Sequence, residues 1–136
     1  MNLSELTQPD LAQFCLPDVV TAASRAAERV MPIYVAWSPS ASDCDVLQQA
    51  LLQAQGKLRG ETPSLSLDEV AETAYRFAAQ AAKEFRKSGE KAAGRAAIAG
   101  TVIHSAIDAA ADLGLDDVAA LVNSLLALRG CAKLQS

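Results

Sequence analysis

Aromatic residues are scarce. One tryptophan, two tyrosines and three phenylalanines make up 4% of 136 positions. β-Sandwiches and barrels draw on aromatic and β-branched strands with frequent turns, so this shortage argues against them. Glycine (7) and proline (5) are also few, which excludes collagen-like and Pro/Gly-rich disordered chains. Cys15, Cys44 and Cys131 are an odd number and form no C-x-x-C pair, so neither a disulfide framework nor a zinc site is expected. They read as reduced residues packed like small hydrophobes. No stretch approaches roughly 18 apolar residues without a charge, so no membrane span is expected. Met1 to Asp10 has no basic segment leading into an apolar run, hence no secretion signal, and the expectation is a cytoplasmic protein.

Histidine occurs once, at His104. The chain has no H-E-x-x-H, no E-x-x-H pair, no G-x-S-x-G elbow and no G-x-G-x-x-G or Walker loop. No metal, no cofactor and no enzymatic activity is therefore expected. Net charge is −4. A phosphate-backbone binder usually carries a basic field, so nucleic acid is not expected as a partner. An acidic protein more readily meets a basic one.

Alanine is abundant, at 28 positions, and 51% of the chain is hydrophobic. The length fits one domain over residues 1–136, with a short polar start and a C-terminal tail. The apolar residues follow the i, i+3, i+4, i+7 rhythm of helices. The expected class is all-α: a compact bundle of five to six helices. A short helix is expected over Pro9 to Cys15 and a longer one over 17–36, kinked or broken at Pro32. A loop follows over residues 37–41. Ser42 should cap a helix over 43–58, ending near Gly60. Ser66 to Glu69 forms a capping box for a helix over 67–88, closed by Gly89. A helix of small residues follows over about 90–112, stopped by Gly114. The last helix opens at Asp116 and Asp117 and ends at Gly130, leaving 131–136 as a tail. Gly94 and Gly100 each cost roughly 1 kcal/mol inside a helix. Close approach by neighbouring backbones would repay that, so helix 90–112 is expected at the centre.

On that helix His104, Asp108 and Asp112 share a face at successive i+4 steps. From Thr101 to Leu128 there is no lysine or arginine, yet Asp108, Asp112, Asp116 and Asp117 all occur. Asp116 and Asp117 suit a helix N-terminus. Asp108 and Asp112 lie near a helix C-terminus, where negative charge is disfavoured, and they repel each other. A chain that keeps such an acidic corner has a surface suited to a positive partner. Arg76, Lys83, Arg86, Lys87, Lys91 and Arg95 form a basic corner, much of it explained by the C-terminal dipole. Trp37 is a weaker candidate anchor for a partner, since tryptophan is enriched in interface hot spots.

The run Ala22-Ala23-Ser24-Arg25-Ala26-Ala27-Glu28-Arg29-Val30-Met31-Pro32 resembles the opening helix of a family of small, alanine-rich, all-helical bacterial immunity proteins associated with polymorphic toxins. Leu58-Arg59-Gly60-Glu61 resembles that family's R-G-E-like segment. Arg95-Ala96-Ala97 followed by His104 resembles its R-A-A…H run, with Asp108 where the family places a second histidine. The resemblance spans about residues 20–112. It implies a cytoplasmic protein that binds and blocks one cognate toxin, with occlusion of the toxin's active site as the expected mode. The candidate partner-binding residues are then Asp108, Asp112, Asp116, Asp117, His104 and Trp37. The alternative is a non-catalytic helical adaptor or self-assembling module, for which a homo-oligomer is expected.

Overall fold

The computed structural model describes residues 5–38 and 40–135, and these form six helices and no strand. The polar start over residues 1–4, Pro39 in the first long loop and Ser136 of the tail lie outside the described residues. The helices are α1 (Gln8–Leu11), α2 (Leu16–Trp37), α3 (Ala41–Leu58), α4 (Leu67–Ser88), α5 (Lys91–Asp112) and α6 (Asp117–Gln135). The all-α bundle expected from the alanine periodicity is what the chain forms.

Helix α5 is the hub, packing against α2, α3, α4 and α6. Its small residues make this possible. A β-carbon added at Gly100 would lie 2.9 Å from the Ala78 methyl and 3.1 Å from the Ala78 Cα, so α4 and α5 cross there almost backbone to backbone. The pairs Gly100–Ala78, Gly94–Phe85 and His104–Ala71 give nearly constant residue sums, which makes α4 and α5 an antiparallel hairpin. Gly130–Val102, Asn123–Asp112 and Arg95–Leu134 do the same for α5 and α6. Helices α2 and α3 form a second antiparallel pair, tied by Gln55 Nε2 donating to the Glu28 carboxylate.

Several boundaries follow the sequence signals. Ser66 Oγ accepts from Glu69 N at 3.4 Å, one half of the expected capping box. Gly89 ends α4 with φ of 71°, a left-handed conformation in which its N–H reaches the Phe85 carbonyl. Other boundaries differ. Pro32 does not break α2, which runs through it as one helix. Pro32 and Glu28 are both exposed, so the carbonyl that loses its donor can turn to water. The cap of α3 is Ser40 rather than Ser42, with its hydroxyl 3.2 Å from Asp43 N. Trp37 is the last residue of α2, so the loop is shorter than expected. The first helix is a single turn, Gln8–Leu11, with Thr7 and Asp10 bonded to each other at its start.

The largest correction is the C-terminal tail. Helix α6 continues through Gly130 to Gln135, and Cys131 and Leu134 are buried. Gly130 is not a stop. A β-carbon there would come within 2.6 Å of a Val102 methyl, so the glycine lets α6 lie against α5. Arg95 Nη2 then donates to the Leu134 carbonyl at 3.1 Å and satisfies one of the last backbone acceptors.

Candidate protein-binding face

The antiparallel arrangement of α4, α5 and α6 brings the N-terminus of α4, the C-terminus of α5 and the N-terminus of α6 to one end of the bundle. Four of the six candidate residues are the aspartates of that end, and His104 lies two turns before Asp112 on α5. Sequence reasoning missed a fifth aspartate, Asp68 in the first turn of α4, whose charge acts on both Asp108 and Asp112. Its capping-box position explained it locally and hid its place beside α5.

His104 Nδ1 lies 2.8 Å from the Ala71 carbonyl. A carbonyl only accepts, so Nδ1 carries the hydrogen and donates it. Nε2 faces Asp108 Oδ2 at 3.5 Å, an ion pair when the ring is protonated. The Tyr75 ring meets the imidazole edge-on at 5.4 Å. Burial raises the Asp108 carboxyl from its ordinary value; the His104 charge pulls it down, and Asp112 and Asp68 push it further up. Asp112 is raised too, first by burial and then by Asp68 and Asp116, against the hydrogen bond from Asn123 and the charge of Lys57.

Lys57, at the end of α3, answers the question of how α5 tolerates acid in its last turn. Its ammonium donates to the carbonyls of Ala110, Ala111 and Leu113 at 2.6, 3.0 and 3.3 Å. A lysine from another helix thus caps the C-terminus of α5, supplying the positive charge that the dipole favours there. Asn123 of α6 donates to Asp112 Oδ2 at 3.3 Å. Neither Lys57 nor Asn123 carries a sequence signal, because both act across helices.

Asp116 and Asp117 serve the turn between α5 and α6. Asp116 Oδ1 accepts from Ala119 N at 3.1 Å and caps α6, while Asp117 Oδ1 accepts from Gly114 N at 3.0 Å. Both side chains remain exposed. Between them and Asp112 the turn lifts Leu115 into solvent, 85% exposed, and no sequence feature marked it as part of the face. Among the described residues, no group of three or more histidine, cysteine, aspartate and glutamate side chains is disposed to hold a metal ion.

Trp37 belongs elsewhere. Its ring is half-buried against the core and packs edge-on to Tyr34 at 5.9 Å, and Tyr34 stacks on Phe77 at 6.4 Å. Trp37 precedes the N-terminus of α3, whereas Lys57 meets α5 at the other end of α3. The 16 residues from Ala41 to Lys57 put about 24 Å between those ends. Trp37 therefore closes the core at a distance from the Asp112 end of α5.

No helix among the described residues is long and apolar enough to cross a membrane. Comparison with protein-family models, with curated proteins and with solved structures returns no match.

Proposed function

We propose that this protein is an inhibitor of the immunity type: a non-catalytic helical bundle of the cytoplasm that binds one cognate toxin through a basic surface of that toxin. The observation that carries this reading is the composition of the bundle end formed by α4, α5 and α6. Asp68, Asp108, Asp112, Asp116 and Asp117 share that end with an exposed Leu115 in the α5–α6 turn, and no arginine or lysine occurs between Thr101 and Leu128. The hydrogen bonds of Lys57 go to backbone carbonyls, and its charge offsets only part of the acid at Asp112. An apolar centre with a charged rim is the anatomy of a protein interface. A field of one sign would steer a basic partner and accelerate encounter, while Leu115 and Tyr75 would set the off-rate as they lose water. Blocking a toxin needs surface complementarity and no chemistry of its own, so covering the toxin's active site suits a rigid helix-end face.

The test uses the wild-type chain and a triple variant, Asp108→Lys, Asp112→Lys and Leu115→Ala, as baits in lysate of the native cell. Wild type is expected to retain one near-stoichiometric partner with toxin activity, to protect a host that expresses that partner, and to lose affinity as salt rises. The variant is expected to bind at least tenfold more weakly with unchanged helicity. Equal retention by both baits, or a partner without toxicity, removes the reading.

A further inference from the structure

Helix α6 is apolar on two opposite faces. At 100° per residue, Ala120, Ser124, Ala127, Cys131 and Leu134 share the buried face. Val118, Val122, Leu126, Arg129 and Lys133 share the opposite one, which looks away from the bundle. Val118 is 65%, Val122 36% and Leu126 48% exposed. Ile98 of α5 is exposed beside Leu126, and a groove between the two helices is lined by Ile98, Thr101, Leu126 and Arg129. A helix with apolar residues all round is normally covered all round. The outer stripe has no cover within the described chain.

We infer that the outer face of α6 pairs with the same face of a second copy, antiparallel about a two-fold axis beside Val122. The charges flanking the stripe select this occupant. Its N-terminal end is acidic through Asp112, Asp116 and Asp117, and its C-terminal end is basic through Arg129 and Lys133. The last two also interact within their own chain, so a second copy meets the sign of that end rather than an unpaired group. An antiparallel two-fold lays the acidic end of each α6 beside the basic end of the other and opposes the two helix dipoles. Val122 then faces Val122 of the copy, and each Val118 meets the copy's Leu126 at the mouth of the groove. A parallel pair would set like charges together. The interface covers one helix face, so the dimer forms reversibly with concentration. The dimer draws on Asp112, Asp116 and Asp117, which the inhibitor reading also uses, while Asp108, His104 and Tyr75 lie on the α4 side of α5, away from the α6 stripe.

Sedimentation equilibrium of the full chain tests it. The mass is expected to rise from 14.2 kDa toward twice that value with concentration, and less steeply at high salt. Val122→Glu with Leu126→Glu, both at exposed positions, is expected to stay monomeric with wild-type helicity. In a Cys15→Ser background, which removes the exposed native thiol, Val122→Cys is expected to cross-link to itself through a short bis-maleimide. Leu115→Cys is not, because antiparallel pairing separates the two copies of residue 115 by about 21 Å along the helix. A wild-type mass of one chain at every concentration up to about 1 mM overturns the dimer. Efficient self-cross-linking at residue 115 overturns the antiparallel arrangement. A Val122→Glu, Leu126→Glu variant whose mass still doubles with concentration overturns the placement of the interface on this stripe.

Discussion

An aspartate in the last turn of a helix sits against the carbonyl end of the dipole, and Asp112 is placed there with Asp68 and Asp116 acting on it as well. Burial and those charges raise its pKa in the folded state. The native chain then binds the Asp112 proton more tightly than the unfolded chain does, so ionisation lowers stability above the native pKa. As pH falls through that raised value the penalty is relieved. Asp112→Asn removes the charge and keeps an oxygen that can accept from Asn123. It is expected to stabilise the protein at pH 7 by on the order of 0.5 kcal/mol, from the dipole and like-charge terms together. Urea unfolding at pH 7 and at about pH 4 checks this. The gain should shrink at the lower pH, where wild type takes up the proton itself, and a gain that grows on acidification would reverse the sign of the argument. The acid was legible in the sequence because its disfavoured position stood out. Lys57 was not, because its three carbonyl partners lie more than fifty residues away in the chain.

The two glycines inside α5 carry the same helix penalty but different packing. At Gly100 an added methyl would press on the Ala78 methyl and Cα, and a backbone atom cannot step aside. Gly100→Ala gains about 1 kcal/mol of helix propensity and loses about 1–3 kcal/mol through overpacking. It is expected to destabilise, on balance, by about 1 kcal/mol. At Gly94 the added methyl would meet only the Phe85 ring, at 3.1–3.3 Å, and that ring is partly exposed and can turn. Gly94→Ala is therefore expected to be neutral or to stabilise by up to about 1 kcal/mol. Chemical denaturation of both variants decides the matter, and equal effects would mean that the α4–α5 crossing yields as easily as a side chain. The central place of this helix was readable, since glycine inside a long helix has to be repaid by close packing. Gly130 was misread because a glycine near a helix end is ordinarily a stop. Only the contact with Val102 distinguishes a glycine that packs from one that terminates. Pro32 misled for a related reason, since exposure decides whether the orphaned carbonyl costs anything.

Across the whole molecule the antiparallel helices sort charge by end. The C-terminus of α4, the N-terminus of α5 and the C-terminus of α6 gather Lys83, Arg86, Lys87, Lys91, Arg95 and Lys133. The aspartates gather toward the opposite end, about 20 Å from Arg95 to Asp108 and about 32 Å from Lys91 to Asp112 along α5. The sequence showed two patches of opposite sign, and the hairpin register turns them into the two poles of one body. That the α6 stripe lies outside was not legible, because a helix apolar on both faces does not say which face the bundle takes. The same hub arrangement governs how the fold comes apart. Helix α5 touches α2, α3, α4 and α6, so removing any one of them strips the packing of α5. Unfolding is therefore expected to be two-state, as for most domains of this size. Trp37 allows a direct check, since it reports, through Tyr34 of α2 and Phe77 of α4, on the junction of α2 with α4, away from the aspartate end of α5. In dilute protein, where association adds little to stability, its fluorescence and the far-ultraviolet circular dichroism should lose their native signals at the same temperature. A fluorescence transition well below the helical one would mean that α2 and α3 detach while the α4–α5–α6 unit persists. The chain would then be two cooperative units rather than one domain, and the end bearing the acidic face would stand without the other.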